Sequence, residues 1–463
     1  MDITFLIFHF QWSYTMKSTS VILMMLIIAT GAFAQWSDYN MEENNQLDAG
    51  IGMTWIDETS YITLSFQPDI SIGKFGVGLG VYLLYDPGKG KLRTEDWDDT
   101  YDYARLIRYL RYGHKGDTFY SRIGALDAAR LGHGFVLNYY NNQISYDNRK
   151  IGLIVDWDAG RFGFETLTNN LGRLEVLGGR AYYRPMYESS IPILRNFAVG
   201  ASYITDLDPD AWRKSNDEIG IWGIDLELPL IKSDIFELIP YADHAHINGF
   251  GSGQAMGIRT ELNALWGLLD FSLSVERRYM GKQFIAPYFD PFYEQMRYTT
   301  KDEQIEYFED FGGNADALSE DVTALPGGTL IGKNMFLPMM DQKIRGWFGG
   351  LYLDFLYIIR TIGTFQRIDD QTNSGVMHLE AGLANEIPIF DLQATYDKRG
   401  IEKAEDIFTL DRRSIARVGV GYKIKPYLLI YLDYIWTFEW DETEEQYVPQ
   451  ERFQPRLAFR YRF

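Results

Sequence analysis

The sequence predicts an all-β fold in which one large antiparallel sheet closes on itself as a transmembrane barrel of roughly 16 to 18 strands. Three observations predict it. The last eleven residues alternate without a slip: Phe453, Pro455, Leu457, Phe459, Tyr461 and Phe463 fall on one side, and Gln454, Arg456, Ala458, Arg460 and Arg462 on the other. A strand has a side-chain period of two, so this segment is oily on one face and cationic on the other. Similar alternation recurs along the chain between loop signals. Aromatic residues make up 16% of the chain, with 32 Tyr, 29 Phe and 11 Trp, as girdles at two membrane interfaces require.

Taken in order, the chain opens with a stretch that reads as a secretory signal peptide within residues 1–34. Lys17 supplies the charged region, Val21 to Ile28 the apolar region, and Ala32-Phe33-Ala34 the small-x-small cleavage site. Met1 to Thr15 lack a basic region, so Met16 is the expected start and Gln35 the expected mature N-terminus. The alternative is an uncleaved anchor. Residues 35–463 then form a single barrel domain, with no solenoid repeat and no interdomain linker. After the leader no window approaches the ~18 apolar residues of a spanning helix. Mean hydropathy is −0.22, which excludes a helical membrane protein.

Candidate strands follow. Ile62, Leu64 and Phe66 oppose Tyr61, Thr63 and Ser65, and Val77, Leu79, Val81, Leu83 and Tyr85 oppose Gly78, Gly80 and Tyr82. Phe197, Val199, Ala201 and Tyr203 oppose Ala198, Gly200 and Ser202, and Trp222, Ile224, Leu226 and Leu228 oppose Asp225 and Glu227. Toward the end, Met377, Leu379, Ala381 and Leu383 oppose His378 and Glu380, and Ala416, Val418, Val420 and Tyr422 oppose Arg417 and Lys423. The apolar set must face hydrocarbon and the charged set the lumen, because an interior of this width tolerates water and charge. Arg108 breaks the lipid-facing series of Leu106 and Leu110, leaving the register of that strand open. The longest interruption, about 287–343, is expected to be an outer loop that caps or enters the pore, with a short acidic helix near Lys301 to Phe311; a surface excursion is the other reading.

The alternating C-terminal segment resembles the closing strand of bacterial outer-membrane β-barrels, which ends on Phe and is read by that family's assembly machinery. Leu457, Phe459, Tyr461 and Phe463 carry the resemblance. It is a porin-like, Gram-negative resemblance at the level of architecture. It implies the bacterial outer membrane as location, and as partners the barrel assembly machinery, membrane lipid and lipopolysaccharide.

Net charge is −20, which argues against nucleic acid as a partner. Cysteine is absent, so no disulfide, thiol nucleophile or Cys-ligated metal is available. The weak metal candidates are His244 and His246, which share a face two residues apart but lack a third ligand. No cofactor is expected. His246-Ile-Asn-Gly249 is similar to the catalytic segment of outer-membrane phospholipases, yet Asn248 stands where their serine belongs, and Ser252 reads as a turn residue. Asp206, Asp208 and Asp210 have the spacing of a calcium loop, but Ala211 replaces its glycine and Asp217 its terminal Glu. Leu131-Gly-His-Gly-Phe135 is either an inward-folded constriction or an irregular hairpin.

Arginines at strand positions carry the functional expectation. Arg105, Arg111, Arg122, Arg180, Arg184, Arg456, Arg460 and Arg462 form a lumen basic strip, faced by an acidic wall of Asp225, Glu227, Glu261, Asp270 and Glu276. Opposed walls of this kind set a transverse field that filters solutes by charge and size. The expected function is therefore a porin-like channel for passive or weakly charge-selective passage of small hydrophilic solutes, without enzymatic activity. The alternatives are a structural or surface-binding barrel with a filled lumen, its charges paired with one another, and third an outer-membrane hydrolase.

Overall fold

The computed structural model describes residues 45–97, 102–103, 106–145, 149–210, 218–383, 387–441 and 446–463. The expected leader and the start at Gln35 lie outside them. Twenty antiparallel strands close one barrel. The first half comprises β1 (Gln46–Ile56), β2 (Thr59–Ile72), β3 (Phe75–Leu79, resuming as Val81–Asp86), β4 (Ile107–Tyr112), β5 (Phe119–Gly124), β6 (Gly152–Asp158), β7 (Phe162–Thr168), β8 (Val176–Tyr183), β9 (Ala198–Asp206) and β10 (Ile219–Glu227). The second half comprises β11 (Phe236–Ile247), β12 (Ser252–Ala264), β13 (Leu269–Met280), β14 (Ile344–Phe355), β15 (Ile359–Ile368), β16 (Gly375–Leu383), β17 (Phe390–Ile401), β18 (Ser414–Lys425), β19 (Leu428–Asp441) and β20 (Gln446–Arg462). Each strand pairs with the next, and β20 returns to β1 with Phe459 opposite Ala49 and Leu457 opposite Ile51. Closure leaves no sheet edge to seek a partner in lipid.

The count exceeds the expected 16 to 18. Strands β4 to β10 run only six to nine residues, so the same length of chain makes more staves than ten residues apiece allow. No described helix is long and apolar enough to cross a membrane; the strands cross it.

Face assignment follows the period of two. On β1 and β2, Ile51, Met53, Ile62, Leu64 and Phe66 are exposed on the outer surface, while Thr54 and Thr63 turn inward and share a 2.6 Å hydrogen bond. On β20, Phe453, Leu457, Phe459, Tyr461 and Phe463 are exposed and Gln454 and Arg460 are buried. Arg108 is the residue where alternation fails, and a bulge is the reason. Gly78 pairs with Tyr109 but Leu79 with Ile107, leaving Arg108 unmatched. The extra residue lets its guanidinium reach Asp69 at 3.1 Å and the Leu79 carbonyl at 3.0 Å.

β1 starts and β20 finishes at one end, the terminal end, so every connection after an odd-numbered strand lies at the other, the loop end. Two of these are long, after β5 and after β13, and their described residues, 125–145 with 149–151 and 281–343, fold back into the lumen. The second contains the expected acidic helix, observed as Lys301–Asp310, with Thr300 Oγ1 accepting from the Glu303 amide and acidic residues in its first turn. Together the two segments build an apolar core inside the barrel. Tyr140, Phe289, Phe292, Tyr307, Phe308, Phe336, Leu337 and Met339 have no exposed surface. The long segment thus enters the lumen, and it brings an apolar core to a lining that the strands alone make polar. Apolar loop residues have their own hydrophobic reason to leave water, whatever the strands do.

Candidate functional site

The plug made by the segments after β5 and β13 is pinned to the wall by charge. Within Leu131-Gly-His-Gly-Phe135, Gly132 and Gly134 take φ of 56° and 82°, conformations open to glycine. That turn drives His133 between β10 and β11. Its Nδ1 lies 3.1 Å from both Asp243 oxygens and its Nε2 3.3 Å from Glu227 Oε2. Burial alone would lower the imidazole's pKa, but the two carboxylates outweigh it and push the value up to about 9. The Gly132 amide donates to Glu165 at 2.9 Å, and a Cβ at this position would stand 3.0 Å from the Arg180 side chain. The segment is thus an inward constriction, one of the two shapes its glycines allowed.

A second set of pins joins the longer segment. Arg297 donates to Glu175 at 2.7 Å and to Asp206 at 2.7 Å, and lies 3.4 Å from Glu294. Lys150, from the shorter segment, donates to Glu175 at 2.6 Å and Glu294 at 2.7 Å. Tyr140 and Tyr293 close the network through hydroxyl bonds to Glu294 and Asp206. Burial would raise the carboxyl pKa values, yet Lys150 and Arg297 hold Glu175 and Glu294 below the ordinary range. Asp206 of the candidate calcium loop is engaged by an arginine and a tyrosine; Ala211 and Asp217 of that loop lie outside the described residues. Lys333 sits among Tyr288, Tyr293 and Tyr307, its Nζ 4.5 to 5.2 Å from their ring centres. It donates to the Tyr288 carbonyl and the Tyr307 hydroxyl, and burial pushes its pKa down to about 8.

Most residues of the expected basic strip point inward. Arg111, Arg122, Arg180 and Arg460 are buried, and Arg456 is half-buried beside them. Arg462 is exposed at the terminal mouth, and Arg184 follows β8 in a turn there, paired with Asp158 at 2.9 Å. Arg105 lies outside the described residues. Asp225, Glu227, Glu261, Asp270 and Glu276 all lie on the inward face of β10, β12 and β13. They do not form a wall set apart from the cations. Arg180 makes a two-toothed pair with Asp225, at 2.7 and 2.8 Å, and reaches Glu165 at 2.8 Å. Arg456 bonds Asp48 and Asp433, Arg460 bonds Asp48 and Asp391, and Glu276 bonds Arg278. Strand closure brings opposite charges within reach, and in a narrow interior pairing costs less than leaving either alone.

Toward the terminal end of the β11 to β14 wall the lining is wetter. Arg259 keeps 30% and Glu261 42% of the side chain exposed, and the two form an ion pair at 2.8 Å. Asp270 stands opposite Asp354, which Arg360 binds at 2.9 Å.

His244 and His246 face outward, because their register partners Ile224 and Trp222 are exposed on the lipid side. They therefore do not line the lumen. No cluster of three metal-ligating side chains occurs among the described residues. The hairpin brings Ser252 Oγ to 2.8 Å from His246 Nδ1, a contact that sequence spacing obscured. Among the described residues no group orients the other ring nitrogen, so the pair lacks the third member of a supported nucleophile. Sequence reasoning also missed the plug core. Its signal was present: Phe284, Tyr288, Phe289, Phe292 and Tyr293 are too many aromatics for a solvated loop.

A closed sheet with an oily exterior and charged lining fits one solvent arrangement, lipid outside and water within. The chain is a β-barrel of the bacterial outer membrane. In structure it is similar to Wzi from Escherichia coli, an outer-membrane protein involved in capsule assembly and a carbohydrate-binding β-barrel, at 10% identity, TM-score 0.33, covering 98% of this chain and 90% of that one. It is also similar to the outer-membrane protein opdK from Pseudomonas aeruginosa, at 8% identity, TM-score 0.30, covering 90% and 98%. CdiB from Acinetobacter baumannii matches at 8% identity and TM-score 0.25 over 90% of this chain, which spans only 60% of CdiB. No family model and no curated protein matches the chain. These likenesses concern architecture, and function rests on this chain's own residues.

Proposed function

We propose that the protein is a narrow, plug-gated channel for small hydrophilic solutes. The observation that carries this reading is the change in lumen lining along the axis. At the loop end the lumen is filled by apolar side chains, whereas the terminal-end lining around Arg259, Glu261 and Asp270 stays charged and in contact with water. A barrel that served only as a scaffold would gain from filling both ends with apolar packing. On this reading free diffusion of the general-porin kind is replaced by passage past a movable plug. At that end Glu237, Glu261, Asp270 and Asp354 face Lys232, Arg259 and Arg360, an excess of one acid that favours cations weakly.

The density of the plug core favours a second reading, a filled barrel that acts through its surface. One experiment separates them. Wild-type protein and Arg297→Ala are reconstituted in planar bilayers and in liposomes loaded for sugar-swelling assays. Small conductance steps from the wild type and larger ones from the variant support the channel, as does a tight wild type beside a leaky variant. Two correctly folded barrels that are both tight to ions and sugars would favour the surface-acting barrel.

A further inference from the structure

On the lipid-facing wall the strand register lays residues out in level rows across β11 to β15. Pro240, Ile258, Val275, Gly349 and Phe365 form one apolar row. One step toward the loop end the row becomes Ala242, Met256, Arg277, Trp347 and Arg367. The next is His244, Gln254, Tyr279 and Arg345, entirely polar or amphipathic. Over three rows the wall therefore passes from hydrocarbon-compatible to headgroup-compatible chemistry. By the usual layout of short periplasmic turns and longer outer loops, this is the cell-surface leaflet.

At that level lies a groove of about 750 Å³ whose lining includes His244, Gln254, Tyr279, Lys343, Arg345 and Asp369. Two cations in it are well presented. Lys343 is exposed, and Arg345 keeps 64% of its side chain exposed while its Nε lies 3.3 Å from Asp369. Asp369 is already committed to Arg277, which pairs with both its oxygens and lies over the Trp347 ring at 4.8 Å. Arg367 is occupied by the Glu402 and Thr372 carbonyls. Asp370 is a second carboxylate in the lining, so Lys343, Arg345, Arg277 and Arg367 stand against two acids; on a chain of net charge −20 the rim still gathers a local cationic excess beside amide, imidazole and phenol groups, one mixed row above an oily one.

We propose that this groove seats the phosphorylated saccharide headgroup of an outer-leaflet glycolipid. Lys343 and Arg345 receive a phosphate, Gln254, His244 and Tyr279 meet sugar hydroxyls, and the acyl chains run down the wall over Met256, Ile258 and Val275. Each part of the groove answers one part of such a lipid: charge-assisted bonds to phosphate, neutral donors and an aromatic face to sugar, aliphatic surface to chain. A plain anionic phospholipid would leave the neutral donors unused.

The test uses the full barrel in detergent micelles, wild type against the Lys343→Ala and Arg345→Ala double variant, with bound lipid counted by native mass spectrometry. The probes are diphosphoryl lipid A, lipid A stripped of phosphate, and dioleoylphosphatidylglycerol. Wild type is expected to hold diphosphoryl lipid A at least about tenfold more tightly than either other probe, and the variant to lose about tenfold. Equal retention by the variant, no preference over phosphatidylglycerol, or displacement of lipid A by millimolar inorganic phosphate would each overturn the proposal, the last assigning the site to free phosphate. Heat-modifiable gel migration checks that the variant is folded. The single Arg345→Ala variant, on the outer face of β14 and outside the plug segment, should keep wild-type conductance, so loss of lipid binding and loss of channel activity are separately visible.

Discussion

At the loop end of the lumen, Phe292, Tyr307, Phe308 and Phe336 are excluded from water and Arg297 is sealed among three carboxylates. On the β12 and β13 wall nearer the termini, Arg259, Glu261 and Asp270 are also charged and also inward, yet they remain in contact with solvent. One barrel thus holds two interiors. Where chain folds back to cover the lining, charge is fixed by partners and carries structure. Where nothing covers it, as around Arg259 and Glu261, the charges pair with each other but stay within reach of solvent. The same residue types do different work because desolvation, rather than identity, decides how strongly a charge is bound to its neighbours.

The sharpest way to break this contrast is Arg297→Ala. It strips the counter-charge from Glu175, Asp206 and Glu294 in the dry half and is expected to destabilise the seated plug by about 3–5 kcal/mol. A fall in the heat-modifiability midpoint and larger conductance steps would register it. An intermediate effect is expected at His133. Its folded pKa of about 9 lies above the ordinary 6.5, so its stabilisation is complete below pH 6.5 and fades as pH climbs through 9. The amount is on the order of 3 kcal/mol. Protection factors across 129–140, taken against the intrinsic exchange rate at each pH, should fall over that window, and His133→Gln should flatten the dependence.

Asp310, at the end of the plug helix, gives a comparable effect of the same sign. Burial raises its carboxyl to about 6, only partly offset by Arg413 and Arg399. Its stabilisation is therefore complete below pH 3.8 and is lost as pH rises through 6, on the order of 3 kcal/mol. Protection factors within 301–310 should rise on acidification from pH 7 to 5, and Asp310→Asn should remove the change. Smallest is Glu261→Gln in the wet half, expected to shift stability by less than about 0.5 kcal/mol. Its signature is a reversal potential moved toward anions in a salt gradient. A large stability loss there would erase the distinction between the halves.

Local pattern made much of the wall legible. Phe453 to Phe463 could be assigned face by face because side-chain direction in a strand depends only on parity. Arg108 could not, because a bulge depends on the neighbouring strand. His244 and His246 could be placed on one face but not assigned to lipid or lumen, because that depends on the strand they pair with, which carries the lipid-facing Trp222 and Ile224. The pairing of Arg180 with Asp225, 45 residues apart, and of Arg297 with Glu175, 122 apart, had no local trace at all.

The amino-acid order by itself determined the all-β class, the sides that meet lipid and water, and the place of the long segment between β13 and β14, since each follows from a period of two or from its interruption. Tertiary structure alone decided the number of staves, the partner of each inward charge and the filling of the loop end. Those depend on residues brought together across the barrel, where free energy is set by mutual burial that no neighbour in sequence can supply.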